Sequence, residues 1–115
     1  MFKQLALVAV LAVAGCAAIQ LPPDRLERNK ATLSSAEEVG AMGVPQAKLH
    51  LQMAKDQTET AKRMAARGDQ RAVLVLGRAD SDAELALGMA REASVHADAL
   101  RAAEDLKAVR ARGAP

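Results

Sequence analysis

Apolar and polar residues interleave in three long stretches with the three-four spacing of amphipathic helices, behind one short unbroken apolar run at the N-terminus. The first stretch predicts a helix over 24–42. Leu26, Leu33 and Ala36, continued by Gly40 and Gly43, form its seam. Asp24 with Glu27 three residues on reads as a capping-box start, and Ser34-Ser35-Ala36-Glu37-Glu38 offers a second start. The two glycines either permit close packing or end the helix. Gly43-Val44-Pro45 is the clearest break, with glycine past a helix end and proline at the first position of the next.

The second helix is predicted over 45–67. Ala47, Leu51, Ala54, Thr58, Ala61 and Ala65 hold a strict seam, while Lys48, Lys55, Asp56, Glu59, Lys62 and Arg63 face water. Lys55 and Glu59 stand four apart, as an ion pair on that solvated face would. Arg67-Gly68-Asp69 then turns the chain. It matches a cell-adhesion tripeptide, but glycine suited to a left-handed C-terminal position and aspartate suited to an N-cap explain it as helix punctuation.

The third helix is predicted over 70–110. Leu76, Ala79, Ala83, Ala86, Ala90, Ala93, Ala97 and Leu100 keep an uninterrupted heptad seam, with alanine where a coiled coil usually has leucine. Arg78 with Asp82, and Arg101 with Asp105, are spaced as outer i,i+4 pairs. At 1.5 Å per residue this helix runs about 60 Å against about 34 Å for the second. In an up-down-up fold Pro45 lies level with Arg91, so the third helix projects beyond about Glu92 while its seam stays apolar. A second copy, another envelope protein or a curving of the helix itself could cover that seam; a partner is expected, with Ala93, Ala97 and Leu100 as its seam. The expected fold is all-α: an antiparallel three-helix bundle or coiled coil with a long third helix.

The N-terminal run changes the picture from fold to address. Residues 1–15 carry Lys3, an apolar core from Leu5 to Val13, and the small pair Ala14-Gly15, the layout of a cleaved signal. A spanning helix needs about 20 apolar residues, and this run is short of that. Val13-Ala14-Gly15-Cys16 resembles the lipobox of bacterial lipoproteins. The resemblance implies cleavage between Gly15 and Cys16, diacylglycerol on the Cys16 sulfur and a further acyl chain, such as palmitate, on its amine. Ala17, not aspartate, follows, which in that family implies the outer membrane with the body facing the periplasm. The expected organisation is a signal peptide over 1–15, a tether over 16–23 and a helical domain over 24–115.

Removing residues 1–15 takes one base and no acid, so the 16 basic residues become 15 against 14 acidic. A nearly neutral domain lacks the basic footprint of a nucleic-acid binder. The single aromatic, Phe2, lies in the signal, so the core must be built from Ala, Leu, Val and Met.

Chemistry is sparse. Cys16 is committed to lipid; His50 and His96 fall off their seams and read as isolated, solvent-facing residues. Asp80, Asp82 and Glu84 point in different directions, two residues apart on a helix. No metal-ligand spacing, phosphate loop or catalytic constellation occurs, so neither an enzyme nor a cofactor is expected. Lys107, Arg110 and Arg112 suit a helix C-terminus.

Ala41 to Gly43, Val44-Pro45-Gln46-Ala47, Leu51, Ala54, Gly68-Asp69, Ala79 and Asp82-Ala83-Glu84-Leu85-Ala86 together resemble the bacterial envelope family called domain of unknown function 4398. The resemblance spans about Leu26 to Leu106 and implies a small lipoprotein of the helix, proline break, helix, glycine-aspartate turn, long helix type. It transfers no catalytic residues. Some members carry a wall-binding OmpA-like domain, and these residues include none. The expected role is a structural or interaction lipoprotein acting through the third helix. The alternative is an accessory module for a small apolar ligand or for peptidoglycan. Alanine seams predict no cavity, whereas ~300 Å³ or more would favour a ligand.

Overall fold

The computed structural model describes residues 17–113. The chain is an all-α bundle of three helices, α1 (Pro23–Glu38), α2 (Pro45–Ala66) and α3 (Ala72–Gly113), with a short 3₁₀ turn, Ala41–Gly43, between the first two. At 1.5 Å per residue they run about 24, 33 and 63 Å. The lipobox Val13–Cys16 and the cleavage site at Gly15 and Cys16 lie outside the described residues.

Helix α1 starts one residue before the expected position and without a capping box. Pro22 is the N-cap and Pro23 the first helical residue, and no side chain caps the end. Proline at this position needs no hydrogen-bond partner for its nitrogen, and the Arg25 and Leu26 amides close onto the Pro22 carbonyl. The helix also ends four residues before the expected Met42. Gly40 takes a left-handed conformation at φ 97°, which costs a glycine little, and donates its amide to the Glu37 carbonyl. The 3₁₀ turn that follows buries Ala41 fully and leaves Met42 exposed. Val44 is then extended, as the residue before a proline prefers, and Pro45 opens α2.

Helix α2 buries Ala47, Leu51, Ala54, Thr58, Ala61 and Ala65, the expected seam. Its end is a Schellman turn: the Gly68 amide bonds the Ala65 carbonyl, the Asp69 amide bonds the Met64 carbonyl, and Gly68 has φ 77°. The Asp69 carboxylate accepts the Arg71 amide and is gripped by the Arg71 guanidinium, so the adhesion-like tripeptide is a connector. Those bonds hold the Asp69 carboxyl at about 2. The cap is thus charged above the ordinary aspartate range, and its contribution fades only as pH falls towards 2.

Helix α3 buries Leu76, Ala79, Ala83, Ala86 and Ala90 against the other two helices. The core has two apolar ends. One gathers Ala36, Ala41, Ala47, Leu51, Ala86 and Ala90. The other gathers Leu21, Ala61, Ala65, Ala72 and Leu76. Leu51 and Leu76, one at each end, are the largest fully buried side chains. With little but methyl groups between them, the helix backbones must approach closely, and no spare volume is left for larger side chains.

One expectation on the surface is corrected. Lys55 pairs with Glu37 of α1 and Glu59 with Lys62, rather than with each other, because the α1 edge brings a carboxylate within reach of Lys55. Within the stretch expected as a tether over 16–23, part is docked on the body: the Ile19 amide donates to the Ala65 carbonyl at 3.0 Å and Leu21 is buried at the Gly68 end. An Ala83→Leu substitution should lower stability by about 1–3 kcal/mol through overpacking. Ala103→Leu on the exposed part of α3 should stay within about 0.5 kcal/mol. Urea unfolding of both variants measures the contrast, and equal stabilities would contradict a closely packed alanine core.

Candidate functional site

A polar layer, buried at Asn29 and Thr58 and part-buried at Arg25 and Asp80, separates the two apolar ends and draws on all three helices. Asn29 falls on the α1 seam between Leu26 and Leu33 and is 3% exposed. Its amide nitrogen donates to Asp80 Oδ1 at 2.9 Å. Its oxygen faces the Thr58 hydroxyl at 2.9 Å, whose one proton is also within 2.8 Å of the Ala54 carbonyl. Arg25 completes the layer, its Nε donating to Asp80 Oδ2 at 3.0 Å and its Nη2 lying 2.9 Å away. Gly77, one turn before Asp80, leaves room for that guanidinium: a Cβ there would sit 3.2 Å from Arg25 Nη2.

Asp82 faces the other way, towards α2. It takes His50 Nδ1 at 2.8 Å on Oδ1 and the Gln57 amide nitrogen at 2.9 Å on Oδ2. His50 is therefore not isolated, as the sequence reading had it, and Asp82 does not pair with Arg78. The cause is geometric: α2 packs so closely on α3 that a position just off the α2 seam still meets α3. The expectation that acids two apart point to different faces holds, since Asp80 serves α1 and Asp82 serves α2. The Gln57 oxygen is buried without a partner. Among the described residues no three His, Cys, Asp or Glu side chains gather as metal ligands.

These groups fix helices to one another and are occupied in doing so. Besides open hollows of about 370 and 510 Å³ beside these same groups, free surface lies in two further grooves and an arm. The α1–α2 edge stays open, because Glu37, Lys55, Glu59 and Lys62 line it where a third apolar seam would be needed to close it. The result is a solvent-open groove of about 680 Å³ floored by Leu26 and Leu33, at an edge where alanine seams led to the expectation of none. A second groove of about 490 Å³ lies at the shoulder where α2 begins, lined by Val44, Gln46, Met89, Glu92, Ala93 and His96.

The arm is α3 beyond that shoulder. The expected partner seam divides here: Ala93 and Ala97 are half-buried beside the shoulder, and Leu100 is 55% exposed. Every residue from Asp98 to Gly113 is exposed. Arg101 pairs with Asp98, not with Asp105. The arm also bears apolar residues that the expected seam does not include: Val95, Leu106 and Val109 are 68%, 50% and 63% exposed. With Ala99 and Ala102 they repeat at four, three, four and three residues, a second heptad stripe. At 100° per residue it lies about 180° from the Ala86-Ala90-Ala93 face. The spacing is present in the sequence but is masked by the first seam, since the two together leave α3 with no single apolar side.

Comparison with family models, curated proteins and solved structures gives no match to this chain. Among the described residues no helix is long and apolar enough to cross a membrane.

Replacing Asp80 by alanine should cost about 1–3 kcal/mol, because it strands the buried Asn29 amide. Asp105→Ala on the arm should cost no more than about 0.5 kcal/mol. The Asn29→Ala, Asp80→Ala double variant should lose less than the sum of the single losses, since the two residues share one bond. Strict additivity in thermal unfolding would show that the layer carries no coupling.

Proposed function

We propose that the protein is a membrane-anchored envelope lipoprotein of the domain of unknown function 4398 type, lipidated at Cys16. Its role in this reading is contact, through the arm of α3, and it carries out no catalysis. The observation that carries the proposal is the polarity of the body. The chain leaves Leu21 and Ile19 beside Ala65, at the Gly68 end, whereas the exposed part of α3 lies at the opposite end. An anchor on Cys16 would thus hold one end of the body and leave the arm pointing outward. Docking of Ile19 and Leu21 leaves only Ala17 and Ala18 as slack, about 7 Å of extended chain. Such a body sits against its membrane and does not roam from it. A single acyl chain anchors marginally, and the several chains of a lipobox cysteine would hold it stably.

The α1–α2 groove supports a second reading, an accessory module for a small apolar ligand. Its volume exceeds the ~300 Å³ of a small-molecule site. Its rim of paired charges and its openness favour a ligand with a polar end. Wall binding has no comparable observation behind it.

Cys16→Ser should move the protein from the membrane fraction to the soluble fraction while leaving its helical circular dichroism unchanged; a variant that stays with the membrane overturns the anchor. In the native envelope, a photoreactive residue at Ala102 on the arm should capture a partner that the same residue at Asp24, at the Gly68 end of α1, does not. Equal capture at both positions removes the arm from the proposal.

A further inference from the structure

We propose that the outward stripe of the arm, Val95, Ala99, Ala102, Leu106 and Val109, is the seam of a parallel two-stranded coiled coil with a second copy of this chain. This deepens the contact role proposed above by naming the partner, and it rests on that reading only for the placement of both copies in one membrane.

Four observations lead to it. Valine and leucine stand exposed at both ends of the stripe, in the heptad positions where a partner helix would cover them. The body cannot cover them, because α1 and α2 both pack on the opposite face of α3, and for the same reason the body does not obstruct a second helix laid along the stripe. The charges beside the stripe then select the partner and its direction. With Ala99 and Leu106 as a positions and Val95, Ala102 and Val109 as d positions, the flanking e positions are His96, Ala103 and Arg110 and the g positions are Asp98, Asp105 and Arg112. In a parallel pair, g meets the e position five residues on in the other strand, so Asp105 of each copy meets Arg110 of its partner and Asp98 meets the neutral Ala103. An antiparallel pair that sets Val95 against Leu106 instead opposes Asp98 and Asp105 twice; one that sets Ala99 against Val109 pairs Asp98 with Arg112 but opposes Asp105 to Asp105 and leaves Val95 facing Gly113. Last, a parallel pair puts the two Gly68 ends, and so the two chains entering at Ile19, on the same side. Two copies anchored in one membrane can form it without either turning over.

The seam is short, about two heptads, and alanine occupies two of its five positions. Dimerisation in free solution is accordingly weak. Confinement to one membrane raises the effective concentration and favours the pair.

The test uses the full chain in its native envelope, with Ala99→Cys and, as the control on the inward face, Leu100→Cys, each made both with Cys16 present and with Cys16→Ser. In a parallel pair the two a-position cysteines face each other within disulfide reach. Mild oxidation should give a covalent dimer from Ala99→Cys, absent from the unsubstituted protein and from Leu100→Cys. Adding Leu106→Asp should cut the linked fraction about tenfold or more by placing two carboxylates in the seam. Leu106 touches nothing in its own chain's core, so folding is unaffected, and circular dichroism checks this. Linkage of Ala99→Cys in either Cys16 background supports the proposal. No linkage in both backgrounds, stronger linkage through Leu100→Cys, or linkage that ignores Leu106→Asp overturns it. Failure of the anchor is read separately, from membrane fractionation of the same samples, and leaves the disulfide result standing.

Discussion

The bond between the Asn29 amide and the Asp80 carboxylate is what makes this bundle a single structure. Alanine helices pack closely, but one alanine is much like the next. Sliding α1 by a turn along α3 would again set methyl groups against methyl groups, with little change in buried area. The same slide would strand Asn29, 3% exposed, and break the bonds that Arg25 and Thr58 contribute to the layer. Each buried polar group left without a partner costs about 1–3 kcal/mol. That is large beside the total stability of a small domain, about 5–15 kcal/mol. The polar layer therefore sets register, and the alanines set distance.

From register and distance the remaining architecture follows. Helix α2 is half the length of α3, and its start at Pro45 is fixed by the break at Gly40 and Gly43, so the body must end near Ala93. The rest of α3 has no helix of its own chain beside it. Its composition suits that position: a majority of good helix formers, chiefly alanine, leucine and arginine, with Arg110 and Arg112 in the last turn, where positive charge favours the helix dipole. Its two apolar stripes also belong to different structures. The inward one continues the core and fades at Leu100, while the outward one begins at Val95, where the core is already ending.

Much of this was legible in the residues. The α2 seam, the Gly68 turn, the length of α3 and its projection all follow from three-four spacing and from the positions of glycine and proline. What escaped has common physical causes. Asn29 sits in a seam position, yet a polar residue there looks like an interruption until its partner is known, and that partner, Asp80, is 51 residues away. His50 seemed isolated for the same reason, its carboxylate being 32 residues on in another helix. Lys55 and Glu59 looked paired because local spacing is visible in a sequence and a neighbouring helix is not. The early end of α1 turned on which of two glycines adopts the left-handed conformation, and composition leaves that choice open. The outward stripe was hidden by averaging, since a helix apolar on two opposite sides presents no net direction.

The division of α3 into a packed body and a free arm is the claim on which the functional reading depends, and residue-resolved amide hydrogen exchange on the monomeric Cys16→Ser protein tests it most directly. The account predicts strong protection for amides between Leu76 and Ala90, a fall beyond Ala97, and exchange near that of an isolated helix from Asp98 to Arg112. Protection of the arm equal to that of Ala83 and Ala86, in a protein shown by light scattering to be monomeric, would contradict it.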